Sequence, residues 1–464
     1  MGGNLKSPGF SFACGPVRYG LALWVLAAVG LSGLTAQPGR VLRAGPKDYR
    51  RRVHRLKAGE TLHLKPGTYT RGLDLRGLHG SAGRPIRIRG GKSVIFTGRS
   101  GRNTVQLEDA SWIVIEQLTL EGRGLQVDAI KAGGRKDRGV HHITIQGCTI
   151  RGHGADQMIV GISTKVPAWD WIIRGNRIEG AGTGLYLGDS NGSAPFVGGL
   201  IEGNVIRNPL GYCMQIKHQN ARPPVPGMPV EKRVATIRWN VFIKNDVRGD
   251  AGDRPNLLVS GPPQEGPGAE DAYEIHGNLF FHNPRESLFQ GAGRISLHDN
   301  VFVDCPGTAV RIQAHHGKRP LEVRIHHNTF LAVGTAWSVQ GLPEDVEPLI
   351  CANLVQADNL PARDRRNAWI TKQEVGELLK QPRPPLEGMD VQPLRKILVR
   401  LPAGFTDAVS GDAAWNLDFY GRKRSRQDLC GAVSELYRRD RKLGERMRRA
   451  FTSPGDDGTR RGRQ

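Results

Sequence analysis

A lysine becomes a usable base near neutral pH only when burial or nearby positive charge lowers its pKa. Lys217 meets the sequence conditions for that. It stands in Met214-Gln-Ile-Lys217-His218-Gln-Asn220, followed by a histidine, just before a Pro-rich stretch that contains Arg222. Lys131 and Lys165 close similar segments, Asp128-Ala-Ile-Lys131 and Gly161-Ile-Ser-Thr-Lys165. Further copies are Gly184-Leu-Tyr-Leu-Gly188, Asn256-Leu-Leu-Val-Ser260, Ala309-Val-Arg-Ile-Gln313 and Ala336-Trp-Ser-Val-Gln340. Alternation along a strand turns Ile130, Thr164, Leu187, Ile216, Val259, Ile312 and Val339 inward. The residues after them then form an outward column of Lys131, Lys165, Gly188, Lys217, Ser260, Gln313 and Gln340. A parallel outward column holds Ala129, Ser163, Tyr186, Gln215, Leu258, Arg311 and Ser338. Stacked lysines are unfavourable unless an anion bridges them, so the strip predicts a groove for an acidic chain. A solvated basic face is the plainer alternative.

Other chemistries find less material. Glycoside hydrolysis needs two carboxyl groups at a set separation, and the outward columns contain almost no acids. Asp189 with Asp156 or Asp250 is the best available set. Histidines are numerous, but most recur with the repeat and read as surface or inter-coil residues; His218 and His315 end candidate strands. No paired-cysteine or helical His/Glu metal signature appears, so no metal is assigned.

The elements that must position these residues announce themselves in a recurring phrase: an apolar pair, one or two polar residues, Asn, then another apolar pair. It reads Ile172-Ile-Arg-Gly-Asn176-Arg-Ile178 and Leu200-Ile-Glu-Gly-Asn204-Val-Ile206, and returns at Asn240, Asn278, Asn300 and Asn328. Cys148 and Asn353 are looser copies at the ends, and the spacings from Cys148 onward are 28, 28, 36, 38, 22, 28 and 25 residues. Periods of that size mark stacked supersecondary units, and the short alternating segments broken by Gly are strands. The expected fold is therefore all-β: a single-stranded right-handed parallel β-helix with an internal Asn ladder and a short C-terminal helix. Inserts at 221–231 and 249–271 interrupt the coils on one face, where they would shape a groove and shield Lys217 from water.

Residues 56–98 carry a more specific likeness. Leu56-Lys-Ala-Gly-Glu-Thr-Leu-His-Leu-Lys-Pro-Gly-Thr-Tyr-Thr70, then Gly83-Arg-Pro-Ile-Arg-Ile-Arg89 and Val94-Ile-Phe-Thr-Gly98, resemble the N-terminal coils of pectin-lyase-like β-helix proteins. The closest resemblance is to polysaccharide lyase family 6, the chondroitinase-B-like and alginate lyases. Asp418 to Val433 resembles the closing segment of secreted bacterial β-helix proteins. The resemblance implies β-elimination on a uronate chain: Lys217 as base, Tyr186 or His218 protonating the leaving oxygen, and Lys131, Lys165, Gln215, Arg311 and Gln313 binding substrate. It also implies a calcium ion on the carboxylate. Leu210 and Tyr212 stand near where that family places acidic ligands, and Asn256 to Ser260 lacks its arginine, with Arg248, Arg254 or Arg285 as loop substitutes. The cofactor is thus left open. A non-catalytic polysaccharide- or surface-binding protein and a glycoside hydrolase remain as alternatives.

Composition agrees with an acidic partner. The 464 residues carry a formal net charge of +22, with 61 Gly and 6% aromatic residues. Such charge favours polyanions, and the absence of aromatics interleaved with the basic positions argues against nucleic acid. Lys6 and Arg18 precede an apolar run from Gly20 to Leu34, read as a signal peptide over 1–36 that leads to secretion or the periplasm. No other stretch is expected to span a membrane. A linker over 37–52, the β-helix over 53–435 with a repeat-free insert at 360–410, and a basic helix and tail over 436–464 complete the expected organisation. A monomer is expected.

Overall fold

A computed structural model of the protein describes residues 39–359, 364–382, 389–412 and 414–434. The expected signal peptide and basic tail lie outside these residues. Within them, no helix is long and apolar enough to cross a membrane.

The chain winds into three parallel ladders. The first is a 12-stranded sheet from Val41–Ala44 to Leu349–Cys351. The second runs from Gly67–Tyr69 to Ala368–Trp369. The third starts at Leu73–Arg76 and passes through Val105–Glu108, Ile130–Ala132, Val160–Thr164, Thr183–Leu187, Met214–Ile216, Leu257–Val259 and Phe289–Gly291. The last two ladders merge in the long strands Val301–Ile312 and Thr329–Val339. Every coil pairs in parallel with the next, and parallel crossovers take the right hand. This is a right-handed parallel β-helix. Ile, Leu, Val, Met and Phe fill its interior, among them Ile130, Ile162, Leu185, Met214, Leu257 and Phe289, all fully buried.

The Asn phrase makes the corner between the first and second ladders. The side-chain oxygen of Asn204 accepts the backbone N–H of Asn176 at 3.0 Å and its side-chain amide at 3.0 Å. The same pair of bonds joins Asn204 to Asn240, Asn240 to Asn278, Asn278 to Asn300, Asn300 to Asn328 and Asn328 to Asn353. Each amide also donates to a carbonyl deeper in the stack, as Asn240 does to Ile201 at 2.9 Å. Cys148 ends the ladder as a buried thiol whose N–H donates to Asn176. Asn367 extends it by one rung beyond Asn353. The residue before each ladder position has a left-handed φ: Gly175 at 61°, Gly203 at 63° and Gly277 at 64°, but also Trp239 at 57°, Asp299 at 54°, His327 at 52° and Ala352 at 56°. Non-glycine residues pay roughly 1–2 kcal/mol there, so the corner is imposed by the bonds on either side of it.

Several expectations change. Residues 41–52 are not linker: Val41–Ala44 is the first strand, and the helix Tyr49–Val53 buries Tyr49 and Val53 against the first coils, with the Tyr49 hydroxyl on the Gly72 carbonyl at 2.6 Å. Asp418 to Val433 adds no strand to the ladders. Phe419, Cys430 and Val433 pack on the outer face of the second ladder, over Val303, Leu331 and Leu354. Behind them a stack of buried imidazoles, His276, His298 and His326, runs at 5.0 and 4.9 Å. His298 bonds Asp299 at 2.7 Å and lies 3.6 Å from Glu274, while Arg424 pairs with Asp299. Burial alone would lower the His298 pKa, but Asp299 and Glu274 override it and push the imidazole up to about 9.

Replacing Asn240 with Ala would leave the buried Asn204 N–H without its acceptor and take one donor from the Ile201 carbonyl. At about 1–3 kcal/mol for each buried unsatisfied group, the urea midpoint should fall markedly. An unchanged midpoint would show that the ladder does not hold the coils in place.

Candidate active site

Register decides which side chains meet. Parallel pairing aligns Lys131 with Ser163, Ser163 with Tyr186, Tyr186 with Gln215, and Gln215 with Leu258. Leu258 then faces Gln290, and Gln290 faces Arg311. Two expectations are corrected. Lys131 belongs to the Tyr186 column, two residues away from its assigned place, because the small residue Ala132 fills the inward slot opposite Thr164. The coil Phe289–Gly291 lies between Leu258 and Arg311, so Arg311 is four rungs from Tyr186, or roughly 19 Å. The second column retains Lys165, Gly188 and Lys217 on successive coils, with Gln313 three rungs beyond Lys217.

Lys165, Lys217, Tyr186 and Gln215 do come together. They line a cleft of about 280 Å³ with Tyr212, Arg254 and His316, walled by Gln157, Met158 and Ser190. The Lys165 ammonium sits 3.3 Å above the centre of the Tyr186 ring, and that of Lys217 lies 6.0 Å from the same ring. Lys217 Nζ is 3.4 Å from His316 Nε2. His316 in turn stacks on His218 at 4.7 Å. Arg254 lies over the Tyr212 ring at 5.8 Å. None of the lining residues is an acid.

The remaining expectations fall outside this cleft. Lys131 is tied to Asp128 at 3.2 Å. His218 supports His316 from behind rather than lining the cleft. His315 hydrogen-bonds Ser260 at 3.2 Å. Arg222 is buried against Asp271 and takes no part near Lys217. Its Pro-rich insert packs Val225 and Met228 onto Trp169 and Val197, so it does not close over the lysine. The insert 249–271 contributes instead, through Arg254. The hydrolase acids are spent on local structure: Asp189 on Lys136, Ser193 and Ala194, Asp156 on the Met158 N–H, and Asp250 on the Gln157 N–H.

Burial and crowded charge set the protonation states. Burial, then the charge of Lys131, bring the Lys165 amine down to about 8. Burial also lowers Lys217, with Asp189 opposing and Arg254 assisting. Burial raises the Tyr186 and Tyr212 phenols, which stay protonated. Burial, then Lys217, lowers His218 and His316, so both are neutral imidazoles. A calcium ion needs several oxygen ligands, usually carboxylates. The cleft offers ammonium, guanidinium and phenol groups instead, and no group of three or more His, Cys, Asp or Glu that could hold a metal occurs among the described residues. The residues do not fit that ion.

No family model matches the chain, and no curated protein does. Among solved structures, it is similar to an alginate lyase from Paenibacillus sp. str. FPU-7, at 15% identity over 67% of this chain and 97% of that one, with a TM-score of 0.41. It is also similar to the GH136 lacto-N-biosidase of Eubacterium ramulus, at 11% identity over 67% and 68%, TM-score 0.38. A third is a mannuronic acid specific polysaccharide family 6 lyase from human gut microbiota, at 15% identity over 72% and 83%, TM-score 0.35. At such scores these likenesses say nothing of this chain's reaction. The strand pairing itself makes the protein a parallel β-helix.

With the lysines reductively methylated using a carbon-13 label, NMR titration should place Lys165 near 8 and Lys217 below the ordinary lysine range. Arg254→Gln removes a cation beside Lys217 and should move its titration upward. A Lys217 resonance indifferent to Arg254 would contradict the electrostatic coupling described here.

Proposed function

We propose that the protein is a polysaccharide lyase that cleaves a uronate-containing chain by β-elimination in the Lys217 cleft. The observation that carries this reading is a pair of amines with lowered pKa, Lys217 buried and Lys165 half-buried, in a cleft that contains two protonated phenols and an arginine but no carboxylate. Such a set suits an anionic substrate and a proton to be removed beside its carboxylate. Arg254 and the Lys165 ammonium offset the substrate carboxylate, which acidifies the adjacent C–H. The Lys217 amine, once it has lost its own proton, takes the C–H proton. Its electron pair forms the new carbon–carbon double bond as the glycosidic carbon–oxygen bond breaks, and the Tyr186 phenol protonates the leaving oxygen. The Lys165 ammonium lies on the face of the Tyr186 ring, which assigns it to binding and leaves Lys217 as base. Hydrolysis is disfavoured, because the three acids that would serve it hold loops.

Lys217→Ala should lower kcat by about 10²–10⁴-fold on whichever of alginate, pectate or chondroitin is cleaved, read as absorbance of the unsaturated product. Polymer binding should persist. If no uronate polymer yields that product with the wild type, the lyase reading fails and a binding protein remains.

The pH dependence separates the two lysines. The kcat should rise with pH as Lys217 loses its proton, whereas KM should climb above about pH 8 as Lys165 loses its charge. Lys165→Arg keeps a permanent cation and should abolish the KM limb alone. A limb that survives this change would remove Lys165 from carboxylate binding.

A further inference from the structure

The strip does not end at the Lys217 cleft. Towards the N-terminus its column continues from Ser163 through Lys131 to Gln106 and Asp74. There a larger cleft of about 490 Å³ opens, lined by Arg50, Arg71, Arg76, Arg99 and Arg102 together with Gln106 and two acids, Asp74 and Glu108. Arg76 is held by Asp74 at 2.8 Å. Among the described residues Arg50, Arg71, Arg99 and Arg102 are in no ion pair, and Arg50 Nε is buried with no acceptor. Asp74 is taken by Arg76, so Glu108 is the one lining carboxylate left to offset four guanidinium groups, and the concavity keeps an excess of positive charge that further anions would relieve. The planar guanidinium forks match carboxylate or sulfate oxygens two at a time.

Geometry ties this cleft to the first. Gln106 lines one, Tyr186 lines the other, and three rungs separate them, roughly 14 Å at the inter-strand spacing. Between them Lys131 is neutralised by Asp128, so the intervening surface carries no free cation from that column. A pyranose chain advances per ring by a length close to one rung. An extended chain seated at Lys217 would therefore present another acidic ring to the arginines about three rings away.

We infer that the arginine cleft is a second anion-binding site for the same acidic polysaccharide, engaging carboxylates about three sugar rings from the Lys217 cleft and so favouring long chains. This rests on the uronate reading of the Lys217 cleft for its substrate class, while the arginine geometry stands by itself.

The test is Arg71→Ala with Arg102→Ala, two exposed residues, against a charge-matched control, Arg395→Ala with Lys396→Ala, also exposed. On polymeric alginate and pectate the arginine pair should raise KM about tenfold, the cost of roughly one charge-assisted contact, with kcat unchanged. The kcat/KM for a uronate trisaccharide, too short to span both clefts, should not change, and the control should alter neither. Equal loss on polymer and trisaccharide, or no difference from the control, overturns the inference even if turnover is normal. If no polyuronide is cleaved, direct binding of the polymers decides. An affinity about tenfold weaker in the arginine pair and intact in the control keeps the site while the lyase reading fails; no binding by the wild type overturns both.

Discussion

The amide-to-amide bond between consecutive coils is the constraint from which the rest follows. Each ladder asparagine satisfies the backbone of its neighbour and is satisfied by the next, so no coil can slide without breaking buried hydrogen bonds. The left-handed residue before each Asn shows the strength of that demand, since Trp239 and His327 accept a conformation that suits glycine. With the corner set, Lys165 and Lys217 fall into one column with a single glycine coil between them. The cleft is a product of register before it is a product of side-chain chemistry.

The same fold treats buried charge in two opposite ways. Under the C-terminal segment, Glu274, His298, Asp299 and Arg424 form a closed set in which each cation has an acid. There the imidazole is held charged, and the set fastens residues 416–434 to the coils. In the Lys217 cleft the acids have been directed elsewhere: Asp128 to Lys131, Asp189 to Lys136. What remains are amines pushed toward neutrality by burial and by neighbouring cations, Lys131 at Lys165 and Arg254 at Lys217. Compensated charge serves attachment; uncompensated charge leaves a place for a ligand.

The fold was legible because the Asn phrase and the strand alternation are local signals, and both survive into the structure. Column membership was legible only where the inward residue is large. At Lys131 the inward slot is taken by Ala132, too small to register as core, and the column was misplaced by two residues. The coil at Phe289 escaped notice because its outward residue Gln290 carries no charge. Asn367 follows Asn353 by 14 residues, too closely for the repeat. Arg254 and His316 could not be chosen over their neighbours Arg248 and His315, because they reach the cleft from an irregular insert and a hairpin turn whose directions no periodicity encodes. The Pro-rich insert misled for the same reason: its apolar residues, Val225 and Met228, had an exposed Trp169 face to cover on the opposite ladder.

The two-residue displacement of Lys131 has a consequence for how such a surface can change. A slip by one residue would turn the strand inside out, whereas a slip by two preserves its inside and carries a charge sideways into the adjoining lane. Lengthening or shortening a corner loop by two residues can therefore redraw the pattern of cations presented to a polymer without replacing a single interior side chain. Coil proteins of this type thus have a route to new ligand preference that leaves their stability almost untouched, since the variation accumulates in the bends.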